Sequence, residues 1–348
     1  MVIIGDIGGT NARLSLLDPT GKTVHHEVLQ SRQHPSLEAV LRVFLDHAKL
    51  RAGRGGKAAG KRGGRSAGSG QNKVRAAAFG IAGPVVNGRA VGTNLPWVVD
   101  ARSISRKLAI PRVTLLNDLV ALALGTLSVK RSKVHVLGDA GLPRKKGANI
   151  AVLAAGTGLG EAMLVWDGAR FVPSATEGGH TDFAPRDEIE VELFQFLRGR
   201  FGHVSYERIL SGDGLGNLYD FFRHAKGVSE NAENAETIAA APDRNAAIAN
   251  LGETGKSDAA ARAVELFAMI YGAEAGNLAL KTLSLAGVYV CGNIAAHMTA
   301  IFDRGGFRRA FADKGRFMPV MEKIPVAVVL DNDIGLAGAA HVALDRDA

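Results

Sequence analysis

Two Gly-rich stretches and one Asn-Asp pair are the residues of this sequence best suited to chemistry on phosphates and hydroxyls. The first stretch is Gly5-Asp6-Ile7-Gly8-Gly9-Thr10. It is not a Walker loop, because no Gly-Lys-Ser/Thr follows. Nor is it a dinucleotide fingerprint, because a strand pattern follows it instead of a helix. Its glycines let backbone N–H groups approach phosphate oxygens, and Thr10 offers a hydroxyl. Asp6 sits where a carboxylate could hold Mg²⁺ directly or through water. The second stretch, Gly156-Thr157-Gly158-Leu159-Gly160, supplies another donor cluster, although its spacing alone is a weak signal. Asn117-Asp118 stands where an apolar strand runs into a helix. On residue type alone Asp118 reads equally as a helix cap and as a base.

The elements that must position these residues follow from periodicity. Residues 2–5 and 13–17 read as strands around the first Gly-rich turn, and 22–29 as a third strand after Asp18-Pro19-Thr20-Gly21. Leu37, Val40, Leu41, Phe44 and Leu45 mark one face of a helix beginning at Ser36. Residues 76–82 form a buried strand, and Asn87-Gly88 signals a hairpin. Residues 112–116 form a strand that runs into Asn117-Asp118 and a helix to about Ser128. Residues 149–154 are apolar, with strands at 161–166 and 170–172 beyond the second Gly-rich turn. From about residue 187 the pattern is helical, with the longest helix at 257–282, late strands at 288–290 and 326–330, and a small-residue helix at 334–344. Both halves thus open with a strand, a Gly/Thr turn and a second strand.

Composition bounds the function classes. The chain has 348 residues, 47% hydrophobic and 22% charged, which is a globular balance for about two domains. The single Cys, Cys291, excludes a disulfide framework and a Cys-rich zinc site and fits a reducing cytoplasm. No apolar run approaches the ~20 residues of a membrane helix, and the N-terminus lacks signal-peptide features. The net charge of +8 is local. Residues 51–75 hold eight basic and no acidic side chains, which leaves 34 basic against 34 acidic elsewhere. That Gly-rich segment has no apolar periodicity and predicts a surface loop. It contains no aromatic residue on which a nucleic-acid base could stack.

The stretch Gly5-Asp6-Ile7-Gly8-Gly9-Thr10-Asn11-Ala12-Arg13 resembles the first phosphate motif of the actin-like (ribonuclease-H-like) ATPase sugar kinases, and specifically the bacterial glucokinase family. Further similar segments follow in the family's order: Leu116-Asn117-Asp118, Gly156-Thr157-Gly158-Leu159-Gly160, and Glu177-Gly178-Gly179-His180-Thr181-Asp182-Phe183-Ala184-Pro185. His203-Val204-Ser205-Tyr206-Glu207-Arg208-Ile209-Leu210-Ser211-Gly212 and Phe311-Ala312-Asp313-Lys314-Gly315-Arg316-Phe317 complete the set, so the resemblance covers nearly the whole chain. It implies that Asp118 is the catalytic base. Asn117, Asp118, Glu177, His180 and Glu207 would be the sugar ligands. Gly5, Asp6, Ile7, Gly8, Gly9, Thr10, Gly156, Thr157, Gly158 and Gly292 would bind the nucleotide. It implies ATP as donor, Mg²⁺ near Asp6, and a homodimer. In Val290-Cys291-Gly292-Asn293-Ile294 the sequence departs from the family's Gly-Gly-Ile type of adenosine motif. The Cys-rich zinc motif of the other branch of microbial sugar kinases is excluded by the single Cys.

The expectation is an α/β protein of two ribonuclease-H-like domains around an active-site cleft. Residues 1–116 plus 332–348 would form the smaller domain and 117–331 the larger. The activity implied is ATP-dependent phosphorylation of D-glucose at its 6-hydroxyl in the cytoplasm. The alternatives are a kinase for fructose or mannose, a catalytically weak glucose-binding sensor, and a polyanion binder acting through residues 51–75. No specific nucleic acid or membrane partner is expected. Replacing residues 54–72 with a short Gly/Ser linker should leave glucose turnover within about twofold, a barrier change on the order of 0.4 kcal/mol. Retention on a polyanion column should fall in the shortened chain and weaken steeply with salt in the full chain. Loss of turnover with the fold intact would give the segment a role in catalysis.

Overall fold

The structure is a computed structural model that describes residues 1–54, 73–91 and 97–345. These residues fall into two compact units, Met1–Ser128 with Asp333–Ala348, and Val129–Asn332.

The first unit contains β1 (Val2–Ile7), β2 (Asn11–Leu17), β3 (Thr23–Gln30), β4 (Ala76–Ile81), β5 (Val85–Val86), β6 (Arg89–Val91), β7 (Val98–Asp100) and β8 (Arg112–Asn117). Its main sheet has the order β3-β2-β1-β4-β8. The first three strands form an antiparallel meander, whereas β1, β4 and β8 run parallel. The alternation in β1 assigns the faces. Ile3 and Ile7 join Leu14 and Phe79 against Leu37, Val40, Leu41 and Phe44 of the helix Leu37–Arg54. Val2 and Ile4 join Ala76 and Ala78 against Leu336, Ala339 and Ala343 of the helix Ile334–Leu344. Each large side chain buried this way contributes roughly 1.5–3 kcal/mol. Asn87 and Gly88 both have positive φ, 52° and 72°, as the turn between β5 and β6 requires.

Two expectations change here. The helix continues to Arg54, four residues into the segment expected to be loop; the remainder of that segment, 55–72, lies outside the described residues. The unit boundary also falls at 128/129 and 332/333, not at 116/117 and 331/332. The cause is the helix Asp118–Thr126, which packs on Ile334–Leu344. A Cβ on Gly338 would overlap the Ala121 carbonyl oxygen, and one on Gly125 would overlap that of Ile334. Backbones meet directly, so the helix after Asn117 is fixed to the first unit.

The second unit contains β9 (Val134–Leu137), β10 (Ile150–Ala155), β11 (Leu159–Trp166), β12 (Phe171–Thr176), β13 (Gly287–Cys291) and β14 (Val326–Val329). The sheet order is β12-β11-β10-β13-β14-β9. Again three antiparallel strands lead into three parallel ones, β10, β13 and β14. β9, unforeseen in the sequence, closes the edge antiparallel to β14. The same strand order and directions therefore occur twice, and the fold is α/β with two ribonuclease-H-like units. The longest helix, Asp258–Lys281, is capped by Ser257, whose side chain accepts from Ala260 N–H, and ends at Thr282. Its Gly272 and Gly276 admit the carbonyls of Phe307 and Phe311 from the helix Gly306–Ala312. Phe311 is fully buried, so the 311–317 segment serves packing at its start. Among the described residues, no helix is long and apolar enough to cross a membrane.

Gly338→Val should destabilise the chain by about 1–3 kcal/mol, because the added methyls must force two helices apart. Chemical denaturation monitored by circular dichroism reads this directly. An unchanged midpoint would mean that the two helices separate without cost.

Candidate active site

The carboxyl ends of the parallel strands carry the candidate residues in both units, where open α/β sheets place their ligand sites. In the first unit these ends are Ile7, Ile81 and Asn117. The turn Gly8-Gly9-Thr10 joins β1 to β2, and Gly8 N–H donates to the Asn11 carbonyl at 2.9 Å. Ser31 pins the turn from β3's end: its hydroxyl donates to Gly8 O and its N–H to Thr10 O, both at 2.8 Å. Ser31 is fully buried, and nothing in its sequence context marked it. Asp6 sits opposite Arg13 across the β1–β2 ladder, 3.9 Å from its guanidinium. Burial raises the Asp6 pKa, Arg13 opposes the rise, and the nearby Asp333 carboxylate adds to it. Asp333, also missed in the sequence, thus puts a second negative charge near Asp6.

Asn117 and Asp118 divide their labour in a way that residue type left open. Asn117 is the N-cap: its side-chain oxygen accepts from Leu119 N–H at 2.9 Å and Val120 N–H at 3.2 Å. Its amide nitrogen donates to Gly83 O at 3.1 Å. Asp118 is the first helical residue, half-buried, and accepts from Leu119 N–H at 2.9 Å. The N-cap is therefore Asn117, with Asp118 sharing one of its donors, the Leu119 N–H.

In the second unit the tip Gly156-Thr157-Gly158 joins β10 to β11, closed by Gly156 N–H donating to Gly158 O at 2.8 Å. Gly156 O accepts from Gly212 N–H at 2.9 Å, and Tyr271 Oη accepts from Ala155 N–H at 2.9 Å. Glu207, in the short 3-10 turn Tyr206–Arg208, connects the pieces. One of its oxygens accepts from Leu159 N–H at 3.0 Å, and the other lies 3.8 Å from His180 Nδ1. A side chain on Gly158 would displace that carboxylate. Glu177 caps and His180 ends the 3-10 turn Gly178–His180. The strands of chain carrying them run side by side: Tyr206 N–H donates to Thr181 O at 3.2 Å, Phe183 N–H donates to Val204 O at 2.9 Å, and Asp182 bridges Ser205. Glu177 is exposed, and its backbone carbonyl accepts from His180 N–H at 3.1 Å. The structure thus brings Gly156, Gly158, Glu177, His180 and Glu207 into one cluster. Glu207, whose carboxylate reaches both the hairpin and His180, is its centre.

Gly292 closes β13 at φ 93°, and a side chain there would crowd the Ala155 carbonyl oxygen. Cys291 is fully buried, and burial pushes its thiol pKa well up, so it acts as a small apolar residue. Under the 178–180 turn lies Glu161 of β11, buried and facing Glu274 of the long helix; burial and that second carboxylate push its pKa up to about 8. Neither glutamate was singled out by the sequence, where each is an isolated acid in an apolar stretch.

The duplicated fold and its Gly-rich hairpins define a sugar kinase of the actin-like, ribonuclease-H-like ATPase class. A family model described as Glucokinase matches residues 3–346. A glucokinase of Nostoc sp. strain PCC 7120 is 34% identical over 356 residues, covering 98% of each chain. The crystal structure of a glucokinase from an Antarctic psychrotroph superposes with a TM-score of 0.79 at 26% identity, covering 98% of both chains. A ROK family glucokinase from Streptomyces griseus, solved in complex with glucose and AMPPNP, shares the fold at a TM-score of 0.62 and 21% identity, covering 98% of both chains. The chain belongs to the glucokinase family. It is a hexose kinase that transfers a phosphoryl group from ATP to the 6-hydroxyl of D-glucose.

Glu207→Ala should lower the unfolding free energy by about 1–3 kcal/mol, because it leaves the Leu159 N–H without its acceptor. Glu207→Gln keeps an oxygen for that bond and should unfold close to the wild type. Equal losses in the two variants, read by denaturant titration, would show that the carboxylate charge and not the Leu159 bond matters.

Proposed function

We propose that Asp118 is the general base of the glucokinase reaction, and that Glu177, His180 and Glu207, with Asn117 and Asp118, hold the sugar. The observation that carries this reading is Glu207, which touches both the Gly156–Gly158 hairpin and His180. A sugar hydroxyl donating to that carboxylate would be registered against the turn that receives phosphate. Glu177, His180 and Glu207 offer acceptors and one group of either polarity, as adjacent hydroxyls need.

The reaction requires the 6-hydroxyl proton to leave as its oxygen forms a bond to the γ-phosphorus and the bond to ADP breaks. Asp118 takes that proton. Asn117 is the helix N-cap, and the Asp118 carboxylate shares the Leu119 N–H with it. The N–H groups of Gly8, Gly9 and Thr10, and of Gly156, Thr157 and Gly158, serve the phosphates, with Gly292 beside the adenosine. Mg²⁺ fits the Asp6 position, because Asp6 and Asp333 repel each other and a cation relieves that repulsion. Asp6 would hold the ion directly or through water; once bound, the ion neutralises phosphoryl charge. The family resemblance adds a cytoplasmic homodimer to this reading.

Asp118→Asn keeps the shape and loses the proton acceptor, so kcat should fall about 10²–10⁴-fold while glucose affinity is largely retained. Steady-state turnover and calorimetric glucose binding separate the two. Near-normal turnover would remove Asp118 from the base role.

A further inference from the structure

Beneath the Glu177–His180 turn lies a pair of buried carboxyls that the reaction does not use. Glu161 is 2% exposed and Glu274 0%. They face each other in hydrogen-bond contact, yet one oxygen of each, Oε1, has no hydrogen-bond donor among the described residues. Two buried carboxylates in contact both lack a hydrogen, and a single proton between them satisfies both. The pair is tied to the sugar ligands on two sides. A Cβ on Gly178 would overlap Glu161 Oε2, so the turn between Glu177 and His180 rests on that carboxyl. Glu274 Oε2 accepts from Asn277 Nδ2 at 2.8 Å, and the same nitrogen donates to Tyr206 Oη at 3.0 Å. Tyr206 immediately precedes Glu207 and also bonds Glu274.

We propose that Glu161 and Glu274 share one proton and together act as positioning residues for the sugar site, so that removing the proton weakens glucose binding. This rests on Glu177 and Glu207 being sugar ligands. When the proton leaves, two like charges stand in contact in an apolar interior. Their repulsion is relieved by moving Glu161 outward against Gly178, or Glu274 against Tyr206, and either motion shifts a sugar ligand. The other groups facing the pair do not supply a second counter-charge at contact distance. From the long helix, Lys281 Nζ is 3.7 Å from Glu274 Oε1, and the Tyr271 hydroxyl oxygen accepts from Ala155 N–H. From the 206–208 turn comes neutral Tyr206. From the segment after Gly306–Ala312 comes Lys314, whose pKa burial lowers, with Arg186 and Glu190 paired beyond it.

The sign of the pH effect follows. Burial, then Glu274, raises the Glu161 pKa from 4.5 to about 8, so the folded state binds a proton that the unfolded chain does not. The stabilisation is full below about 4.5 and is lost as pH rises through about 8.

The test is glucose affinity by calorimetry from pH 6 to 9, without ATP. Wild-type Kd should rise by roughly fivefold toward pH 9. Glu161→Gln, which cannot ionise, should flatten that rise. Glu274→Gln, which removes the neighbouring charge, should move its midpoint to lower pH. A flat wild-type profile overturns the proposal, and so does a Glu161→Gln profile parallel to the wild type. Should Glu161→Gln fail to fold, an unmoved midpoint in Glu274→Gln overturns it equally. Glu177→Gln is the separate check on the underlying site: wild-type affinity in that variant at pH 6 would defeat the ligand assignment, whatever the Glu161 profiles show.

Discussion

The close approach of a glycine to a neighbouring carbonyl or carboxylate, possible only where a Cβ is missing, is the constraint on which both units depend. In the second unit Gly179 rests on the Leu159 carbonyl, Gly178 on Glu161, and Gly158 on Glu207. These three contacts stack the Gly178–His180 turn, the Gly156–Gly158 hairpin and the Tyr206–Arg208 turn within van der Waals reach. In the first unit Gly125 and Gly338 do the same for the helix that begins at Asp118. A methyl at Gly179, Gly125 or Gly338 would meet a carbonyl oxygen and force elements apart, whereas one at Gly158 or Gly178 would push a glutamate carboxylate aside.

The fold was legible because its signals were periodic. The alternation in β1, the Asn87-Gly88 turn and the Ser257-to-Thr282 helix each carried a local reason that tertiary structure left intact. The helices 118–126 and 334–344 were legible as elements, but not as partners. Their union is set by two glycines 213 residues apart in the chain, and no local pattern reports a contact at that separation. β9 was missed for a similar reason: a short edge strand with half-buried residues has little periodicity of its own.

The site was legible to the degree that glycines announced it. Gly5–Thr10 and Gly156–Gly160 are recognisable turns, and Glu177 and His180 bracket two more glycines. Ser31, Asp333, Glu161 and Glu274 carry no such flag, because their meaning comes from what lies across the fold. Asn117 and Asp118 show the limit of residue type. Both suit a helix start, and only the hydrogen bonds of the Asn117 side chain tell cap from candidate base.

The discontinuity of the first unit sets an order for its synthesis. The second unit is one uninterrupted run, Val129–Asn332, with every strand of its sheet inside it. The first unit's sheet is complete by Asn117, but the face formed by Val2, Ile4, Ala76 and Ala78 waits for a helix that begins at Ile334. A nascent chain therefore carries that apolar face uncovered while more than half of its length is still being made. During this interval the exposed face is the chain's vulnerability to aggregation and a natural contact for a chaperone.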